Sequence, residues 1–120
     1  MNKRAAGDLG EERACLALKK AGLRILERNY ACPFGEIDII ARDRRTLVFV
    51  EVKARASEDH GEPSEAVTRK KQRRILRTAQ VYMANHGCFE KPVRFDVVEV
   101  LPDSVRHIPD AFDGSALAGL

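Results

Sequence analysis

Hydrophobic and polar positions change period several times along this chain, and each change marks a candidate element. Residues Lys3 to Ala21 contain no Pro and no β-branched residue and stop at Gly22, which predicts a helix with a glycine end. At about 100° per residue, Gly10, Ala14, Ala17, Leu18 and Ala21 share one arc. Glu11 borders that arc, Glu12 points nearly opposite, and Leu9 and Leu16 fall outside it. Three strands are expected next, at Leu23–Tyr30, Glu36–Arg42 and Leu47–Arg55, separated by Pro33 with Gly35 and by the polar turn Asp43-Arg44-Arg45-Thr46. Residues 56–63 read as a loop. A longer helix should run from Ser64 or Thr68 to Asn85, on the spacing of Ile75, Leu76, Ala79, Tyr82 and Met83. Val93–Leu101 alternates as a strand, and Arg106–Phe112 suits an edge strand because Pro109 is tolerated there. The order α-β-β-β-α-β-β predicts an α/β fold with a mixed sheet, the second helix crossing between two parallel strands. Residues 1–112 form one expected domain, and 113–120 a short C-terminal tail.

The central hairpin fixes a register. A loop of two residues, Arg44-Arg45, or of four, Asp43 to Thr46, gives the same pairing, with partner numbers summing to 89. Asp38 then faces Glu51 and Glu36 faces Lys53, with Cβ atoms of such pairs about 5 Å apart. One face presents Ile37, Ile39, Ala41, Val48, Val50, Val52 and Ala54, as a core face does. The other carries Ile40 and Phe49 near the turn, then Asp38, Glu51, Glu36, Lys53 and Arg55. Directly opposed carboxylates destabilise a sheet, and partial burial raises the cost. Lys53 offsets part of that repulsion. A hard divalent cation such as Mg²⁺ would offset it better, since it prefers carboxylate oxygens and keeps several waters. The same residues also read as a solvated ladder holding weak salt bridges, Glu36–Lys53 and Glu51–Arg55.

Composition narrows the function classes. The chain has 120 residues, 44% hydrophobic and 32% charged, which suits one core of moderate size. Its longest apolar runs, such as Ala14 to Leu18 and Leu47 to Val50, are far too short to cross a bilayer, and the N-terminus lacks the apolar stretch of a secretory signal. A cytoplasmic protein without a membrane partner is expected. Cys15, Cys32 and Cys88 are an odd, scattered set, so reduced thiols are expected rather than disulfides or a zinc site. His60, His86 and His107 are also scattered and suggest no metal site. Most of the seven aromatics sit in strand or helix patterns, so core packing is expected and a base-stacking platform is not.

The net charge of +3 conceals a segregation. Residues 69–77, RKKQRRILR, hold six cations, and no acid occurs between Glu65 and Glu90. Subtracting those six from +3 leaves −3 for the remainder. A basic segment beside an acid-rich remainder is the pattern expected where a polyanion is held near a metal.

The segments GEIDIIARD (35–43), LVFVEVKAR (47–55), AVTRKKQRRI (66–75) and RFDVVEV (94–100) resemble the YraN family of small bacterial proteins, from about Gly10 to Phe112. That family is similar in fold to archaeal Holliday-junction resolvases and belongs to the PD-(D/E)xK nuclease superfamily. The resemblance implies a restriction-endonuclease-like αβββαβ core, with a mixed central sheet flanked by helices. It matches Asp38 to the metal-binding aspartate, Glu51 to the second acidic ligand, Lys53 to the motif lysine and Glu11 to the acid on the first helix. Ile37 stands where the motif name has proline.

Together these readings imply a metal-dependent endonuclease acting on DNA, at branched or otherwise structured sites. Asp38 and Glu51, with the Val52 carbonyl, would hold Mg or Mn, and Glu11 would complete the site through a water. Lys53 would orient the attacking water or stabilise the phosphorane. Lys71 is the preferred phosphate contact, with Arg55, Arg69, Lys70, Arg73 and Arg74 as further candidates. A nucleic-acid-binding or DNA-repair adaptor protein that keeps the fold without cutting remains the alternative. A homodimer is left open, since no exposed apolar surface in the sequence demands one.

Overall fold

A computed structural model describes residues 3–56 and 67–117, with side chains of the first helix described from Leu9 onward. Two helices flank one five-stranded sheet: α1 (Lys3–Lys20), β1 (Arg24–Cys32), β2 (Gly35–Asp43), β3 (Thr46–Ala54), α2 (Arg69–His86), β4 (Val93–Val100) and β5 (Val105–Phe112). The strands lie in the order β1-β2-β3-β4-β5, antiparallel except for the parallel β3–β4 pair. A parallel pair needs a long crossover, which the segment containing α2 supplies. The αβββαβ order and the mixed sheet expected from the sequence are therefore observed.

Local chemistry sets the ends of α2. The Thr68 hydroxyl accepts a hydrogen bond from the Lys71 backbone N–H, and Gly87 closes the helix in the left-handed conformation at φ 61°. The helix thus begins at Arg69, in keeping with the Thr68 alternative. Ser64, His60 and most of the expected 56–63 loop lie outside the described residues.

The central strands are covered on both faces, which is why β3 and the middle of β2 read as nearly continuous apolar runs. On one face Ala14, Cys15 and Leu18 of α1 pack on Ile39, Ala41, Val48, Val50, Val98 and Val100. On the other, Ile75, Leu76, Ala79 and Tyr82 of α2 pack on Ile37, Ile40, Leu47, Phe49, Phe95 and Val97. Truncating the fully buried Leu18 to Ala would cost about 2–5 kcal/mol. Leu9 and Leu16, placed outside the packed arc by their helical phase, are exposed.

One expectation needs correction. Ile37 was placed with Ile39 and Ala41 but packs on the α2 side, so strict alternation fails between Ile37 and Ile39. Opposite that break, Asn29 of β1 is left-handed at φ 54°. The expected tail also contributes to the fold. Residues Gly114–Leu117 form a 3₁₀ turn, Ala116 is buried against the α2 cluster, and Arg69 of α2 donates to both Ser115 Oγ (2.9 Å) and the Ser115 carbonyl (3.1 Å).

Candidate metal and nucleic-acid site

The predicted hairpin register holds from the turn to Ile39↔Val50, but the expected direct pairs Asp38↔Glu51 and Glu36↔Lys53 do not form, because the strands part before reaching them. Pairs run from Asp43↔Thr46 through Ile40↔Phe49 to Ile39↔Val50, each summing to 89, across the two-residue loop Arg44-Arg45. There the regular β2–β3 pairing stops, although β3 continues along β4 as far as Ala54↔Val100. The Val52 N–H, which would otherwise lack a partner on the β2 side, donates to Asp38 Oδ2 at 2.8 Å. Asp38 therefore replaces a backbone acceptor where the two strands part. Because N–H and C=O of one strand residue point to the same side, the Val52 carbonyl also faces this gap.

β1 has a left-handed residue, Asn29, at the same level, although its register with β2 shifts only between Ile25 and Glu27. Arg28↔Ile39 and Tyr30↔Ile37 are paired, and between them lie Asn29 and Asp38. A short amide residue tolerates the left-handed conformation better than a branched one. The Asn29 amide donates to Glu11 Oε2 at 3.1 Å, and Arg28 Nη2 lies 3.5 Å from the same oxygen. Glu11 is thus tied to β1 at this level, whereas Glu12 pairs with Arg28 Nη1 at 3.0 Å on the exposed side. The phase argument separating Glu11 from Glu12 agrees with this geometry.

The gap opens into a cleft of about 510 Å³ under the N-terminal turns of α2, lined by Glu36, Asp38, Glu51, Lys70, Lys71 and Arg74. Glu51 is only 6% exposed and its Oε1 is ion-paired with Lys71 Nζ. Burial, followed by the negative charge of Glu51, pushes the Asp38 carboxyl up from 3.8 to about 7. The Val52 N–H works against that rise, while hydrogen bonding with Glu51 and the charge of Glu11 add to it. Burial and the neighbouring carboxylates leave Asp38 short of compensating positive charge, which a divalent cation would supply. Asp38 and Glu51 could offer two carboxylates to such a cation, with the Val52 carbonyl facing the same gap. Among the described residues, no three His, Cys, Asp or Glu converge as a metal cluster, and the partners of Glu11 are Asn29 and Arg28. Two carboxylates suit Mg²⁺, which keeps several of its waters.

The remaining candidates divide. Lys70, Lys71 and Arg74 line the cleft; Arg73 does not. Arg69 is turned onto Ser115. Lys53 is partly buried, beside Glu99 in the β3–β4 register and outside the cleft lining. The surface ladder with Glu51–Arg55 does not form, because Lys71 takes Glu51 and Arg55 Nε lies 3.0 Å from Glu99 Oε2. Arg55 is itself largely buried, so its guanidinium is withdrawn from the face where phosphate contact was expected. That Nε–Oε2 approach lacks hydrogen-bonding geometry, and both buried Glu99 oxygens are without a hydrogen bond among the described residues.

The family model described as the uncharacterised protein family UPF0102, the YraN family, matches residues 10–100. The chain belongs to this family. It is 51% identical over 110 residues to a UPF0102 protein of Caldicellulosiruptor saccharolyticus, covering 92% of this chain and 93% of that one. It is 45% identical over 107 residues to a UPF0102 protein of Persephonella marina, covering 89% and 92%. Among solved structures it is similar to Archaeoglobus fulgidus Hjc, described as a Holliday junction resolvase, with a TM-score of 0.49 and 22% identity over 82% of this chain and 72% of that one.

Within this UPF0102 chain, sequence reasoning missed Asn29, which holds Glu11, and Glu99, which holds Arg55. An Asn inside an otherwise regular strand is the signal for the first. The β4 pattern RFDVVEV, two acids among buried positions, is the signal for the second. All three cysteines are free, and none of the described helices is long and apolar enough to cross a membrane.

Proposed function

We propose that this chain is a metal-dependent endonuclease that hydrolyses DNA phosphodiester bonds, with Mg or Mn as cofactor and branched or structured DNA as substrate. The observation that carries the proposal is the parting of β2 from β3 at Asp38, which brings two carboxylates together beneath Lys70, Lys71 and Arg74. The match of GEID and FVEVKAR to the nuclease motif supports the same reading, as does the implied restriction-endonuclease-like core.

Asp38 and Glu51 offer the carboxylate oxygens, and Val52 a carbonyl. A bound divalent cation would supply positive charge against the charge that develops on the phosphate and leaving oxygen. Lys70 and Arg74 would hold the scissile phosphate from the helix side, and Lys71 would join them on leaving Glu51. Glu11, fixed by Asn29, would position a water at the margin of the site. The motif gives Lys53 the water-orienting role, which would require its side chain to swing into the cleft that it does not line in the structure.

Cleavage of four-way junction, flap, single-stranded and duplex DNA with Mg²⁺ or Mn²⁺ tests this assignment. Wild type should cut at least one of them, and Asp38→Asn, Glu51→Ala and Lys53→Ala should each abolish cutting while DNA binding persists. Equal rates for wild type and the first two variants would remove the assigned site. The Lys71–Glu51 pair favours one second reading, a DNA-binding adaptor that neutralises Glu51 without metal. Binding without cleavage across all substrates would favour that reading.

A further inference from the structure

Core packing is the expectation for most of the seven aromatics: Phe49, Tyr82 and Phe95 are buried, and the partly buried Tyr30 and Phe112 pack against them. Phe34 and Phe89 do not: they are 48% and 61% exposed. Both line an open groove of about 610 Å³ with Arg77, Val81, Ala84 and Leu117. Large exposed apolar side chains gathered in one depression mark a binding surface more often than a scattered one does.

The groove continues from the cleft that holds Asp38 and Glu51. Lys70, Arg74, Arg77, Val81 and Ala84 follow one another at steps of three or four residues, so they form one stripe along α2. Lys70 and Arg74 line the cleft, and Arg77, Val81 and Ala84 line the groove. The step from Arg74 to Arg77 is less than one helical turn, about 5 Å along the axis. The β1–β2 turn spans the same boundary, with Phe34 in the groove and Gly35 and Glu36 in the cleft.

Phe34 sits on a turn that lies in van der Waals contact with α2. Gly35, at φ 155°, brings the turn so close to α2 that an added Cβ would sit 3.4 Å from Arg74 Cβ and Thr78 Oγ1. The Cys32 thiol lies 3.5 Å from Thr78 Oγ1 on the other side of the turn. Arg77 places its guanidinium 5.8 Å from the Phe34 ring centroid, which leaves a cation and an aromatic face together at the groove mouth.

We propose that this groove binds unpaired nucleotides of the DNA strand whose phosphate enters the cleft, with Phe34 and Phe89 as base-stacking surfaces and Arg77 as the phosphate partner. The inference rests on the nuclease reading and deepens it, since it names the substrate as duplex DNA with a single-stranded arm. Charge complementarity selects this occupant. The groove extends the segment holding six cations in residues 69–77, and no acid lies between Glu65 and Glu90. Base stacking on aromatic side chains tolerates any sequence, and each stacked base is worth about 5- to 150-fold in affinity.

The test measures binding by fluorescence anisotropy with Ca²⁺ in place of Mg²⁺, using one duplex with a blunt end and the same duplex with a tail of unpaired nucleotides. The tail should tighten wild-type binding by about tenfold. Phe34→Ala and Phe89→Ala should each remove much of that gain without changing blunt-duplex affinity, and Phe34→Trp should keep it. A 2-aminopurine base in the tail should be quenched by wild type and not by Phe34→Ala. The proposal is overturned if the tail gives no gain, or if Phe34→Ala weakens both DNAs equally. A dimer in sedimentation that Phe34→Ala with Phe89→Ala converts to monomer would instead assign the groove to a second copy. Cleavage that persists without any tail preference defeats this inference alone, whereas absence of all DNA binding defeats the nuclease reading as well.

Discussion

Replacing Asp38 by Asn should make the metal-free protein more stable at alkaline pH while destroying its cation site. Burial and the neighbouring Glu51 carboxylate raise the Asp38 carboxyl from 3.8 to about 7. Between those two values the folded chain holds a proton that the unfolded chain has released. Stability therefore falls as pH rises through this window, and the loss is complete above about pH 7. At about 1.4 kcal/mol per pH unit, the whole interval corresponds to about 4 kcal/mol. Asn removes the titrating charge and keeps a carbonyl oxygen to accept the Val52 N–H. The variant and wild type should therefore have nearly equal stability at pH 4. The variant should pull ahead through pH 5 and 6 and lead by up to about 4 kcal/mol at pH 8. Urea denaturation followed by far-ultraviolet circular dichroism, with a chelator present, measures the difference. Added Mg²⁺ should stabilise wild type and not the variant. Two parallel pH profiles, or a variant less stable than wild type at pH 8, would refute the charge imbalance on which the proposed site depends.

Arg55→Ala should lower stability by about 3–5 kcal/mol by stranding the buried Glu99, and should leave the salt dependence of DNA binding unchanged, as urea melts and a salt titration would show. Lys70→Ala and Arg74→Ala should each reduce the log–log salt slope of DNA affinity by about 0.9, with little change in melting temperature. Arg69→Ala, which loses Ser115, should do the reverse. Asp96 is fully buried and accepts from Arg94, from His107 and from the Asp110 N–H; burial alone would raise its carboxyl, but His107 and Arg94 hold it below the usual carboxylate range. Asp96→Ala should therefore cost about 3–5 kcal/mol at pH 7, read from the urea midpoint.

The hairpin register was legible because period-2 alternation and a two-residue loop constrain it independently, and both gave Ile40↔Phe49. The position of Glu11 was legible because helical phase separates it from Glu12. The partners of the cations were not legible. Arg55, Lys53 and Lys71 all sit near carboxylates in any reasonable arrangement, and only the placement of α2 over the strand gap decides that Lys71 reaches Glu51 while Arg55 turns to Glu99. Ile37 was misplaced for a related reason. Alternation assumes a regular strand, and Ile37 and Ile39 pack on opposite faces across Asp38, where β2 leaves β3. Phe34 and Phe89 escaped because composition cannot separate a core aromatic from one presented on a turn.

That strand gap also explains why one lysine could couple the two binding events of the proposed site. Lys71 Nζ neutralises Glu51 and, from the same helix face, lines the cleft beside Lys70 and Arg74. One ammonium cannot serve Glu51 and a phosphate fully at once. A cation that relieves Glu51 frees Lys71 for phosphate, and a phosphate that draws Lys71 away leaves Glu51 in need of a cation. Linkage then requires that Ca²⁺ tighten DNA binding by the same factor as DNA tightens Ca²⁺ binding. Lys71→Met should bring that factor toward one, because the charge that moves between the two partners is gone. Isothermal titrations in both orders measure it, and an unchanged factor in Lys71→Met would show that the coupling runs through other groups.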